Sequence, residues 1–141
     1  MSLQGQVRTR ATQIIVLAKK GDSVQARQVY DRADEILAEH SRALPKIWLS
    51  MAHPEVLAAE MRWDESFEAF QKSVDLLAHA EMRFDRSLLL LEWAQAHLQR
   101  GQPEDIERAK ELYSEALSEF KDMGSPGYVK RIQARLDELD S

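Results

Sequence analysis

Three short segments of this 141-residue chain repeat one pattern: a small residue, an aromatic four positions on, and a second small residue three after that. They are Ala26-Tyr30-Ala33, Ser66-Phe70-Ser73 and Ala109-Tyr113-Ala116, and their starts lie 40 and then 43 residues apart. Positions i, i+4 and i+7 share one face of an α-helix. The small residues let a neighbouring helix approach closely, and the ring between them fills the space beside the crossing. A turn precedes each triplet: Lys20-Gly21-Asp22, Met61-Arg62-Trp63 and Arg100-Gly101-Gln102. A helix pair of this kind cannot bury its apolar face alone, whereas pairs stacked in sequence can. One triplet would fit a bundle around a shared centre equally well; three at near-equal separation favour the stack.

The few glycines and prolines punctuate about seven helical segments. The first runs from about Gln6 to Lys20 and stops at Gly21, with Lys19 and Lys20 at the negative end of its dipole. Asp22 or Ser23 caps the second, which reaches about Arg42. Pro45 suits the first turn of a third, which Pro54 kinks or restarts while holding His53 away from helical geometry. Asp64 caps a fourth, to about His79. Asp85 lies near the start of a fifth, which stops at Gly101. Pro103 opens a sixth, with Glu104, Asp105 and Glu107 in its first turn. Gly124 ends it, and Ser125-Pro126 starts a short seventh. Three- and four-residue steps mark Ala26, Tyr30, Ala33 and Leu37, then Phe67, Phe70, Val74 and Leu77, then Ile106, Ala109, Leu112, Tyr113, Ala116, Leu117 and Phe120. The run Leu88 to Leu91 points around most of its helix, so that helix should be covered on several sides.

At these residues the chain resembles the tetratricopeptide repeat family. The third unit matches best, with Leu90, Trp93, Ala94 and Leu98 before Gly101 and Ala109, Tyr113, Ala116 and Leu117 after it; Gln102 to Asp105 lengthen its turn by about three residues over the family pattern. The first unit has Gly21, Ala26, Tyr30 and Ala33, but Ile14, Ile15 and Leu17 where a large aromatic is usual. The second has serine at both small positions and Pro54 where a small residue belongs. The resemblance implies an all-α, right-handed superhelical solenoid in a single domain, 1–141, with units at roughly 5–42, 43–80 and 83–123 and a C-terminal capping helix at 125–139. The long repeat and the ending Phe120-Lys121-Asp122-Met123-Gly124 are similar to the arrays at the C-terminal ends of bacterial multidomain regulators, such as nucleotide cyclases, signalling ATPases and transcriptional activators.

Chemistry is hard to find. The chain has no cysteine, hence no thiol nucleophile, disulfide or thiolate metal site. His40, His53, His79 and His97 are 13, 26 and 18 residues apart, and none pairs with another at i, i+4. Asp34-Glu35, Asp64-Glu65 and Glu104-Asp105 read as first-turn or solvated carboxylates rather than an acid–base pair. There is no glycine-rich phosphate loop and no Gly-x-Ser-x-Gly elbow. The expectation is therefore no enzyme, no cofactor, no metal and no catalytic residue. The net charge of −5 divides as +3 over 1–50, −4 over 51–100 and −4 over 101–141, without a basic cluster, which argues against nucleic acid as partner. No apolar run approaches the roughly 18 residues of a membrane span, and Met1-Ser2-Leu3-Gln4-Gly5 does not read as a secretory signal, so a cytoplasmic location is expected.

In the resembled family the first helix of each pair lines a concave groove. Carried onto this chain, the groove presents Arg8, Thr12, Ile15 and Lys19, then Trp48, Met51, Glu55 and Ala59, then Glu92, Gln95 and Gln99. It is basic at one end and acidic at the other. That suits an extended peptide or partner helix oriented by charge. Ala11 and Ile15 stand where chaperone-binding members carry their carboxylate-clamping residues, which disfavours that partner. Trp93 reads as core and Trp63 as packing between units, while Trp48 is balanced between core and groove. Met51, Met61 and Met82 read as core fillers or as an adaptable surface. The expected function is a protein–protein interaction scaffold in a bacterial regulator, with homo-oligomerisation through exposed ends as a further option. The alternatives are a ligand- or peptide-sensing domain coupled to a catalytic or DNA-binding neighbour, and a small helical enzyme with an acidic cleft.

Overall fold

The computed structural model describes residues 3–38 and 43–141, with side chains at 6–38 and 46–141. These residues form helices α1 (Leu3–Lys19), α2 (Ser23–Ala38), α3 (Ala43–Ala59), α4 (Trp63–His79), α5 (Arg83–Arg100), α6 (Pro103–Asp122) and α7 (Pro126–Asp140), and no strand among the described residues. None of the helices described is long and apolar enough to cross a membrane.

One turn design recurs. After α1, Gly21 takes the left-handed conformation (φ 84°); its N–H donates to the Ala18 carbonyl and that of Asp22 to the Leu17 carbonyl. This pair of bonds satisfies carbonyls the helix end leaves open. The same pair closes α3 through Met61 and Arg62, α4 through Glu81 and Met82, and α6 through Gly124 and Ser125. The α5 end differs. Gly101 donates to the His97 carbonyl, and Gln102 then leads into α6.

The chain divides into two compact units, Met1–Leu76 and Leu77–Ser141, with the boundary inside α4. In the first, α1 packs against both α2 and α3, and α2 against α3. The core takes Val7, Ala11, Ile14 and Ala18 from α1, Ala26, Ala33 and Leu37 from α2, and Leu49, Ala52 and Val56 from α3. Spacings of three, four and seven place each set on one face. Ser66, Phe70 and Ser73 of α4 are also buried. The Ser66 hydroxyl donates to the Pro54 carbonyl at 2.8 Å, and the Ser50 and Ser73 hydroxyls meet at 3.2 Å. Serine thus fills the small positions of this triplet while hydrogen-bonding α3. Arg27 of α2 grips Glu60, beyond the end of α3, through two bonds of 2.7 and 3.1 Å.

In the second unit α6 packs against α5 and α7. Leu89, Leu90, Trp93 and Ala94 meet Ala109, Leu112, Tyr113, Ala116 and Phe120 in its buried set, joined by Ile132 of α7. Of the four-leucine run, Leu89 and Leu90 are buried while Leu88 and Leu91 are half-buried. Phe84, Phe120 and Tyr128 form an aromatic cluster, with the Phe120 and Tyr128 rings stacked at 4.5 Å.

Several local expectations need correction. α3 runs unbroken through Pro54, and His53 is helical. An internal proline costs a helix roughly 3 kcal/mol, but Pro54 is fully buried and His53 stacks on Tyr30 at 4.8 Å, so packing overrides the local preference. Asp64 is not the cap of α4: the helix starts at Trp63, and Arg62 accepts its first bond, from Ser66. Ser125 precedes α7 without a side-chain cap bond. Ile106 is 44% exposed rather than core, and Met61 sits at a turn apex with 76% exposure. Asp22 does cap α2, accepting from the Gln25 N–H at 3.2 Å. The expected end of the second helix near Arg42, and His40, lie outside the described residues.

Candidate functional site

In the first unit the predicted surface residues stand on α1 and α3. Arg8, Thr12 and Lys19 are exposed on α1, one face apart by four and seven. The Arg8 guanidinium lies 4.9 Å over the Trp48 ring, a cation–π contact that brings α1 and α3 together at the surface. The Thr12 hydroxyl donates to the Arg8 carbonyl at 3.1 Å and so turns back on its own helix. Trp48 and Met51 are half-buried. The Trp48 indole N–H is buried without a hydrogen-bond partner. Glu55 departs from expectation. At 7% exposure it faces inward, because it stands three residues after Ala52 and next to Val56 on the packed side of α3, and it cannot present its carboxylate to a partner in this arrangement.

In the second unit Glu92 is half-buried, while Gln95 and Gln99 are exposed along α5. Gln95 borders a cavity of about 190 Å³ between α5, α6 and α7. Leu91 and Ile132 form its apolar wall; Tyr113, Tyr128, Arg131 and Arg135 supply the polar part. Sequence reasoning missed these four. Tyr113 reads as a packing ring and α7 as a mere cap. A signal was nevertheless present: Tyr128, Arg131 and Arg135 are spaced by three and four and share one face of α7.

Another cavity, about 380 Å³, opens in the first unit among α2, α3 and α4. Its apolar floor includes Leu37 and Leu49, and Tyr30, Asp34, Lys46, His53, Lys72 and the exposed Leu76 ring it. Burial lowers the His53 pKa from its ordinary value, and the neighbouring Arg27 charge adds to this. Burial pushes the Tyr30 phenol up to about 12, helped by Asp34.

The most strongly bonded charged group belongs to the turn between α5 and α6. Asp105 is fully buried. It accepts two bonds from Arg100 (2.8 and 2.7 Å), one from the Gln102 N–H (2.9 Å), and it meets His97 Nδ1 at 2.6 Å. The Arg100 guanidinium, above all, holds this carboxyl far below the usual carboxylate range. Burial lowers the His97 pKa despite the opposing pull of Asp105, so the neutral ring donates from Nδ1. With its acceptor sites occupied, Asp105 acts as a clasp on the helix hairpin rather than as a proton-transfer group. Among the described residues no three histidine, aspartate or glutamate side chains converge where a metal ion would sit.

No protein-family model matches the chain, and neither does any curated protein or any solved structure.

Proposed function

We propose that this chain is a protein–protein interaction module of tetratricopeptide-like helix pairs that binds a peptide or a partner helix and performs no chemistry itself. Its place in a bacterial regulatory protein rests on the family resemblance. The observation that supports the reading best is the burial of the small residues of all three triplets: Ala26, Ser66, Ala109 and Ala116 are 0% exposed, and Ala33 and Ser73 1%. Small residues sealed at the same register of α2, α4 and α6 are what stacked helix pairs require. Partner-facing side chains then remain on the first helix of each pair: Arg8, Thr12, Lys19, Trp48 and Met51 on α1 and α3, and Glu92, Gln95 and Gln99 on α5. Arg8 over Trp48 forms an aromatic and cationic anchor of the kind that dominates recognition energetics.

The test is selection of binding peptides by display, followed by fluorescence anisotropy. Trp48→Ala and Gln95→Ala are expected to weaken the selected peptide at least tenfold with little change in Tm. Unchanged affinity in both variants would overturn the assignment of the binding faces.

The 380 Å³ cavity favours a second reading, a sensor domain for a small ligand, since its size suits a metabolite and its polar groups converge over an apolar floor. A rise in Tm with one compound of a metabolite library, abolished by Tyr30→Ala, is the outcome that reading requires.

A further inference from the structure

The cavity between α5, α6 and α7 carries a more specific chemistry than a general groove. Tyr113 is 3% exposed and borders the cavity; its buried hydroxyl finds no acceptor, its neighbour being the Arg135 guanidinium, which can only donate. A buried donor in that state is stabilised by an incoming acceptor. Arg131, on the next helix, lies with its guanidinium 4.4 Å over the Tyr128 ring and has no carboxylate partner among the described residues. The ring fixes the plane of the guanidinium and leaves its N–H edge available. Arg135 shares its charge with Glu138 at 2.9 Å and also faces Tyr113. Gln95 adds an amide from α5. No acidic side chain lines the cavity, although the chain as a whole is acidic.

We propose that this cavity is a carboxylate-binding site in which the Tyr113 hydroxyl, Arg131 and Arg135 donate to the two oxygens while Leu91 and Ile132 cover the alkyl stem. A carboxylate fits better than a phosphate. One of the two cations is already paired with Glu138, leaving about one charge to match, and the apolar wall suits a carbon chain. As an anchor for a peptide the site rests on the interaction-module reading above. The carboxylate itself then belongs to an acidic side chain or to the end of the peptide.

The test is a ¹H–¹⁵N titration of the full chain at constant ionic strength with four probes. N-acetylglutamic acid α-amide carries a side-chain carboxylate and N-acetylleucine a terminal one. N-acetylglutamine amide is the neutral control, and inorganic phosphate the competing anion. At least one carboxylate is expected to shift the Arg131 and Arg135 Nε–H and Gln95 amide signals saturably, and the tighter of the two identifies the source. Arg131→Gln is expected to weaken that probe at least fivefold and Tyr113→Phe at least twofold, with Arg108→Gln, on the Trp93 ring, as a control without effect. The proposal is overturned if neither carboxylate saturates, if the neutral amide or phosphate binds as tightly, or if Arg131→Gln changes nothing. These probes are too small to engage α1 and α3. Failure here therefore leaves peptide recognition there untouched, and failure of the display selection leaves a carboxylate result standing.

Discussion

Met61 and Glu81 hold φ values of 60° and 58°, where a side chain crowds its own backbone, and both occupy the position that Gly21 and Gly124 occupy in the matching turns. The left-handed conformation costs a residue with a Cβ roughly 1–2 kcal/mol. Glycine's greater freedom in the unfolded chain takes back about 0.5–1 kcal/mol. Met61→Gly and Glu81→Gly should therefore each stabilise the protein by about 0.5–1 kcal/mol, measured by urea unfolding. Gly21→Ala should do the reverse by a similar amount, and there the cause is backbone alone, since a Cβ at Gly21 meets nothing within 4 Å. Destabilisation by Met61→Gly would show that the Met61 side chain contributes more than its conformation costs. These residues also mark where the sequence is hard to read. Gly21, Gly101 and Gly124 announce helix ends, whereas the ends at Met61 and Glu81 carry no residue that prefers the geometry they adopt.

At the scale of the element, two of the inter-helix polar contacts explain features that look like departures from a repeat pattern. Ser66 replaces the expected alanine, yet its hydroxyl bonds the Pro54 carbonyl, and Pro54 itself fills core space in α3. Ser66→Ala should cost about 1 kcal/mol, the net value of one buried hydrogen bond, and a cost near zero in urea unfolding would mean that α3 relaxes around the change. The extra residues expected in the turn before α6 have a similar explanation. That turn is only Gly101 and Gln102, and the added length forms the first turn of α6, which brings Asp105 back under Arg100 and His97. Removing one member of a buried charged cluster leaves the others unmatched, so Asp105→Ala should destabilise by about 3–5 kcal/mol. Asp105→Asn, which keeps the shape and loses the charge, should fall between this and the parent. Sequence reading places Asp105 in a first turn correctly but assigns it to the helix dipole; that a histidine and an arginine from the preceding helix converge on it is a tertiary fact without a local pattern.

At the scale of the molecule, helix number, the turns and the burial of the triplets are legible because period and punctuation are local. Which face each helix shows to a third one is not, and that is why Glu55 turns inward and why the α7 arginines beside Tyr113 escape notice. The two units do share one electrostatic trait, and it predicts how the whole protein responds to acid. His53 in the first and His97 in the second both have pKa values lowered from 6.5, in each case chiefly by burial. A group whose folded pKa lies below its unfolded value contributes stability that is present above the unfolded value and lost as pH falls toward the folded one. Stability should thus decline as pH drops below about 6.5. A second decline begins lower, in the ordinary carboxylate range, where the unfolded chain takes up protons that Asp105 and Glu60, both held low first of all by an arginine in the folded protein, still refuse. In urea unfolding at successive pH values the parent should show both phases. The double variant His53→Gln, His97→Gln should be less stable at pH 7 yet lose the first phase and keep the second. If the parent is flat between pH 7 and pH 5, neither imidazole is held neutral by its surroundings, and the Nδ1 donor role given to His97 beneath the α5–α6 clasp falls with it.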